Sequence, residues 1–113
     1  MSSRRSEVGV QGAAPVFAAL GDATRIHMVA RLGADGPMST VRLGLGVGVT
    51  RQAIAKHLRV LADAGLVLAA RRGREQIWEL QRPQLEMARR CLEHISSQWD
   101  EALERLRALV EEA

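Results

Sequence analysis

Apolar positions change their spacing several times along the chain, and each change predicts an element. From Pro15 the residues Val16, Phe17 and Leu20 predict a short helix, with Pro15 suited to a first helical position and Gly21 to a stop. Asp22 then offers an N-cap for a second helix whose apolar face is Ile26, Val29, Ala30 and Leu32. Gly33 and the loop Ala34-Asp35-Gly36-Pro37 are expected to end it. Ser39 or Thr40 can cap a short third helix carrying Val41, Leu43 and Leu45. Thr50 is the strongest helix start, preceding RQAIAKHLRVLADAG, with Gly65 as its stop. Ile54, Leu58 and Leu61 recur at i, i+4 and i+7 on one face, and Gln52, Lys56 and Arg59 lie opposite, flanked by Arg51 and Ala55.

After Gly65 the period shortens. Leu66-Val67-Leu68 and Gln76-Ile77-Trp78-Glu79-Leu80 predict two strands joined across Arg72-Gly73-Arg74, a hairpin with a basic tip. From Pro83 a long helix is expected. Leu85, Ala88, Leu92, Ile95, Trp99, Leu103, Leu106 and Val110 are spaced three or four apart throughout it. At about 1.5 Å per residue it would exceed about 40 Å, more than a small domain can cover, so a partner helix is implied. The first dozen residues lack periodicity and are expected to be a disordered tail.

One stretch invites a different interpretation. LGLGVGVTR, residues 43–51, has three glycines two apart. A dinucleotide fingerprint needs a preceding buried strand and G-x-G-x-x-G spacing, and a phosphate loop needs a closing Lys-Ser/Thr; neither is present. Gly46 and Gly48 instead fit the turn between two helices, where positive φ is useful, while Gly44 is expected within the preceding helix.

Composition narrows the class further. The 113 residues are 47% hydrophobic but only 3% aromatic, so the core must be built from Ala, Leu and Val, which favours helices. The single cysteine, Cys91, excludes a disulfide framework within one chain and any multi-cysteine zinc site. With no apolar run of membrane-spanning length and no secretory signal pattern, the chain reads as soluble and cytoplasmic. Charge is segregated: residues 50–82 carry seven Arg or Lys against three acids, and residues 83–113 carry four arginines against seven acids. The basic middle suits a polyanion.

A short helix, a tight turn, a helix with a polar exposed face and a basic hairpin together make a winged helix-turn-helix, a mainly α fold with a small β-hairpin. In that arrangement the second helix enters the major groove, and Thr50, Arg51, Gln52, Ala55, Lys56 and Arg59 stand on the entering side. Arg71, Arg72 and Arg74 at the wing would add phosphate or minor-groove contacts.

The segments VFAALGDATRIHMVARL, VTRQAIAKHLRVLADAGLV and RRGREQIWEL resemble, in order, the start, recognition helix and wing of the ArsR family of bacterial transcriptional repressors. The most specific part is Ala53-Ile54-x-x-His57-Leu58-x-x-Leu61 followed by Ala64-Gly65-Leu66-Val67. The resemblance implies a homodimer that binds a partly palindromic operator in double-stranded DNA through Arg51, Gln52, Ala55 and Lys56. Position 55 is often serine in such proteins; alanine loses a hydrogen bond and keeps contact with a thymine methyl. The implied interface is formed by terminal helices, here Phe17, Leu85, Leu92, Ile95, Trp99, Leu103 and Leu106. Metal-sensing members carry paired cysteines before the recognition helix or Asp and His pairs on the terminal helix. Ser39-Thr40-Val41-Arg42-Leu43 has no cysteine and the last helix only His94, so the likeness is to the metal-free branch, with no cofactor and no known effector. The expected organisation is a tail over 1–13, a DNA-binding core over 14–82 and a dimerisation helix over 83–113.

Residues outside this constellation have plainer expectations. His57 flanks the core and is expected to be structural rather than a DNA contact, His27 and His94 structural or superficial, and Cys91 simply packed. Trp78 and Trp99 suit core and interface, and Arg89-Arg90 a solvated face. An enzyme is not expected, because no paired carboxylates, Ser/His/Asp set or metal cluster is present. The competing function is a winged-helix module for protein–protein contact whose basic face is merely solvated.

Overall fold

A computed structural model of the chain describes residues 2–112, with side chains described from Gln11 onward. Helix α1 spans Ser2–Leu20 and α2 Ala23–Asp35; strand β1 is Met38–Ser39; α3 is Thr40–Gly44 and α4 Arg51–Asp63; strands β2 and β3 are Val67–Arg72 and Glu75–Leu80; α5 runs Arg82–Glu112. The strands form one antiparallel sheet in the order β1-β3-β2. Among the described residues no helix is long and apolar enough to cross a membrane.

The helix starts follow their side chains. Asp22 accepts the Arg25 N–H, Ser39 that of Arg42 and Thr50 that of Ala53, so each N-cap satisfies a first-turn donor with no intrahelical partner. The α4 helix ends where Gly65 adopts φ 75°. Gly46 and Gly48, at φ 76° and 74°, form the turn of the helix pair, whereas Gly44 closes α3 in helical conformation.

The core is the meeting of every element's apolar stripe. Val16 and Ala19 of α1, Met28 and Leu32 of α2, Leu43 of α3, Ile54, Leu58 and Leu61 of α4, and Leu66, Val67, Trp78 and Ala88 form one buried cluster. Almost all of it is aliphatic, as the scarcity of aromatics requires.

Three elements differ from the periodicity. The tail expected over residues 1–13 is helical from Ser2 onward, and Pro15 lies inside α1 rather than at its start. Packing supplies the reason: α1 lies along α5, with Ala13 fully buried, and that burial offsets the missing proline N–H. The α2 helix continues past Gly33 to Asp35, because Gly36 takes the left-handed conformation (φ 82°) and its N–H closes on Leu32 O. The expected hairpin gains a third strand where Met38 and Ser39 pair with Trp78 and Ile77. A two-residue strand is too short to show a period.

The two kinds of glycine should respond oppositely to alanine. At Gly44 an added Cβ would meet Ile54 Cγ1 at 3.5 Å, an ordinary contact, so Gly44→Ala should stabilise the chain by about 0.5–1 kcal/mol. At Gly46, with φ 76°, alanine should cost about 1 kcal/mol although nothing obstructs it. Urea midpoints at one fixed protein concentration check both signs.

Candidate nucleic-acid interface

Burying Ile54, Leu58 and Leu61 fixes the rotation of α4 about its own axis. The opposite side is therefore solvent-facing by geometry, and Arg51, Gln52, Ala55, Lys56 and Arg59 are all exposed there. Thr50 stands at the helix start, exposed, with its oxygen 3.1 Å from the Ala53 nitrogen. Beyond α4 the sheet projects a hairpin in which Arg72 pairs with Glu75 across Gly73 and Arg74. Positive φ falls only on Gly73 (65°), the pattern of a type II′ turn, and Arg71, Arg72 and Arg74 are exposed on this tip. Helix and wing meet across a cleft of about 260 Å³ lined by Ala55, Arg59 and Ala62 on one side and Gln76 and Trp78 on the other.

Pairing separates these cations from Arg89, Arg90 and Arg107 of α5. Among the described residues no carboxylate lies within ion-pair distance of Arg51, Lys56, Arg59, Arg71, Arg72 or Arg74. On α5, by contrast, Arg89 bonds both Glu86 and Glu93, Arg90 approaches Glu86, and Arg107 approaches Glu104. The Arg89 hydrogen bonds hold the Glu86 carboxyl below its ordinary range and raise Arg89 in return. Arg89, Arg90 and Arg107 are thus compensated by glutamates about one turn away, while the cations of α4 and the wing are not.

His57 sits on the flank of α4 within an inter-helix cluster. Its Nδ1 lies 3.2 Å from Arg25 Nη1 and 3.8 Å from Asp22 Oδ2. The same Arg25 donates through Nε to Ala19 O at 2.6 Å, so one guanidinium ties the end of α1 and the start of α2 to α4. The Arg25 backbone N–H, with the charges of His57 and Arg25, holds the Asp22 carboxyl below the ordinary aspartate range despite some desolvation. Sequence spacing singles out His57 and Asp22 but not Arg25.

Two further anchors escape sequence inspection because they join distant residues. Arg31 Nη1 donates to Arg42 O (3.1 Å) and Leu43 O (3.2 Å), satisfying carbonyls at the end of α3. Trp78 Nε1 donates to Thr40 Oγ1 at 2.8 Å, fastening β3 to the start of α3. Arg31 is therefore spent inside the protein, and Trp78 is a core residue.

The expected interface residues fall into two groups. Phe17 and Leu85 are partly buried against the core of their own chain. Leu92, Ile95, Trp99, Leu103 and Leu106 are exposed along α5, joined by Leu109 and Val110, and Ala88 is the one buried residue on that helix. Cys91 is a free, half-buried thiol. Among the described residues no three His, Cys, Asp or Glu side chains gather into a metal-binding group, and His94 is exposed and isolated.

Comparison with known proteins gives a consistent picture. No protein-family model matches the sequence. The chain is 43% identical over 68 residues to the uncharacterised HTH-type transcriptional regulator YuzN of Bacillus subtilis (strain 168), an alignment covering 55% of this chain and 74% of that protein. It superposes on an ArsR-like transcriptional regulator from Rhodococcus sp. RHA1 with TM-score 0.74 and 37% identity, over 88% of this chain and 92% of that one. A protein described as a possible transcriptional regulator for arsenical resistance matches with TM-score 0.63 and 32% identity, over 80% of this chain and 90% of its own.

The Asp22 cluster predicts a pH dependence with a defined sign. A carboxyl whose folded pKa is depressed contributes stability above its unfolded pKa and loses it as pH falls through the folded one. Asp22→Asn keeps a capping side chain but removes the charge. The wild type should exceed this variant in urea midpoint at neutral pH, and the gap should close on acidification below the ordinary aspartate range.

Proposed function

Because the chain belongs to the ArsR family of transcriptional regulators, we propose that it is a DNA-binding repressor acting in the cytoplasm as a homodimer on a partly palindromic operator, without a metal effector. The observation that carries this reading is the row of exposed cations running from α4 onto the wing, none with a carboxylate partner among the described residues, whereas Arg89, Arg90 and Arg107 of α5 each lie against a glutamate. Such a row attracts phosphates and releases condensed counterions on binding. Residues 14–82 act as the DNA-binding core and 83–113 as the dimerisation helix.

Roles divide by position. Gln52 and Lys56, with Arg51 and Ala55, contact base edges in the major groove, Gln suiting adenine, Arg or Lys guanine, and Ala a thymine methyl. Thr50, at the helix start where the dipole favours anions, contacts a phosphate, and Arg59, Arg71, Arg72 and Arg74 hold the backbone. The exposed stripe from Leu92 through Leu106 supports a helix–helix interface, because an apolar row of that length in water is stabilised by a second copy. Phe17 and Leu85 set the floor from which that interface continues.

Titration of a GC-rich random duplex at two salt concentrations tests the basic face. Binding should fall steeply with salt, with a slope in log K of about −0.9 per phosphate contacted. No binding at low salt would overturn the reading in favour of a protein-contact module. Once an operator is mapped, Gln52→Ala or Lys56→Ala should reduce discrimination between operator and random DNA by about 1–3 kcal/mol, whereas Arg72→Ala or Arg74→Ala should weaken all sequences alike. A charge at the stripe, Leu103→Glu or Leu106→Glu, should halve the sedimentation mass; an unchanged mass would refute the assigned interface.

A further inference from the structure

The elbow between α3 and α4 carries aliphatic side chains that a phosphate-binding face does not require. Val41 and Leu45 are 61% and 64% exposed, and Val49 is exposed beside them. With Ile54 they wall an open cleft of about 420 Å³ whose polar lining side chains are Thr40 and Arg51. That volume lies in the range of about 300–1,000 Å³ typical of small-molecule sites. Contiguous exposed apolar surface of this kind marks a binding site, and a duplex brings mainly phosphates and sugars to it.

The chemistry of the lining selects the occupant. Arg51 has no carboxylate partner among the described residues and sits on the first turn of α4, whose leading N–H groups add positive partial charge. The Thr40 hydroxyl accepts from Trp78 and keeps its own proton to donate. Apolar walls with one cation and one donor in the same lining fit a molecule with an aliphatic or aryl body and a single anionic head. A polyanion would leave the walls in contact with charge, and a cleft of this size is too small for a protein surface.

We infer that the α3–α4 cleft binds a small apolar carboxylate, and that the bound anion competes with DNA for Arg51. The carboxylate pairs with the Arg51 guanidinium while Val41, Leu45 and Val49 cover its apolar body. Occupancy neutralises the first cation of the recognition helix and adds negative charge where a phosphate would approach, so the ligand lowers duplex affinity. The competition rests on the DNA-binding reading above; the binding itself does not.

Octanoate is the probe, with 1-octanol (the chain without the charge) and acetate (the charge without the chain) as controls, titrated into the full-length ¹⁵N-labelled protein. Octanoate should shift the amide signals of Val41, Leu45, Val49 and Arg51 in a saturable way, and both controls should bind at least about tenfold more weakly. Arg51→Gln should weaken octanoate by about tenfold, the loss of one charge-assisted contact. Octanol binding as tightly as octanoate, or shifts confined to the α5 stripe, would overturn the site. The second arm measures salt-dependent duplex binding with and without octanoate, in the wild type and in Leu45→Asn. Octanoate should release duplex from the wild type only, and Leu45→Asn should bind duplex normally in its absence. Octanoate held in the cleft without loss of duplex overturns the competition. A chain that never binds duplex overturns the DNA reading, and the amide shifts still decide the site.

Discussion

Everything in this fold follows from the demand on a single helix of 13 residues, α4, to hold the core together while leaving its other side in water. Leu58 and Leu61 are fully buried and Ile54 nearly so, and deleting such side chains costs about 2–5 kcal/mol each. That energy locks the roll of the helix, so the direction in which Arg51, Gln52, Ala55, Lys56 and Arg59 point is set before any partner arrives. The remaining elements act as braces: Arg25 holds the flank of α4 through His57, Arg31 closes α3, and Trp78 fastens the sheet to Thr40. Each brace joins residues far apart in sequence, so the geometry of the basic face is a tertiary property.

How much of this was legible in advance depends on the range of the interaction. Caps and glycines act within four residues, so Asp22, Thr50, Gly46, Gly48 and Gly65 could be placed from the sequence and are found there. The exposed side of α4 was legible because burial of Ile54, Leu58 and Leu61 dictates it. Long-range features left no local mark. The packing of α1 along α5, with Ala13 buried, turns an aperiodic stretch into helix, and Met38 becomes a strand only because Trp78 lies across from it. Arg31 looked like any surface arginine, since nothing in its neighbours points to carbonyls eleven and twelve residues away.

Charge and apolar surface are sorted along the chain in a complementary way. Around the unpaired cations of α4 and the wing, the exposed large apolar side chains are Val41, Leu45 and Val49 at the elbow and Leu68 on β2. On α5, where Arg89, Arg90 and Arg107 are paired, the exposed apolar stripe is long. The 31 residues of α5 extend about 46 Å, against a molecule 68 Å in its longest dimension, so much of that helix stands beyond the core. Its Glu86–Arg89–Glu93 cluster, with Arg90 beside Glu86, is hydrated and sums to no net charge, and the apolar stripe runs along the same helix.

The split between the two sides of α4 also governs how freely this protein can change over evolutionary time. Substitutions at exposed positions away from caps and buried networks usually shift stability by no more than about 0.5 kcal/mol. Arg51, Gln52, Ala55, Lys56 and Arg59 are such positions, whereas Ile54, Leu58 and Leu61 between them are not. A lineage can therefore exchange one set of surface groups for another, residue by residue, without passing through unfolded intermediates. Copies of the gene would be free to diverge in what they recognise while remaining interchangeable as folded objects.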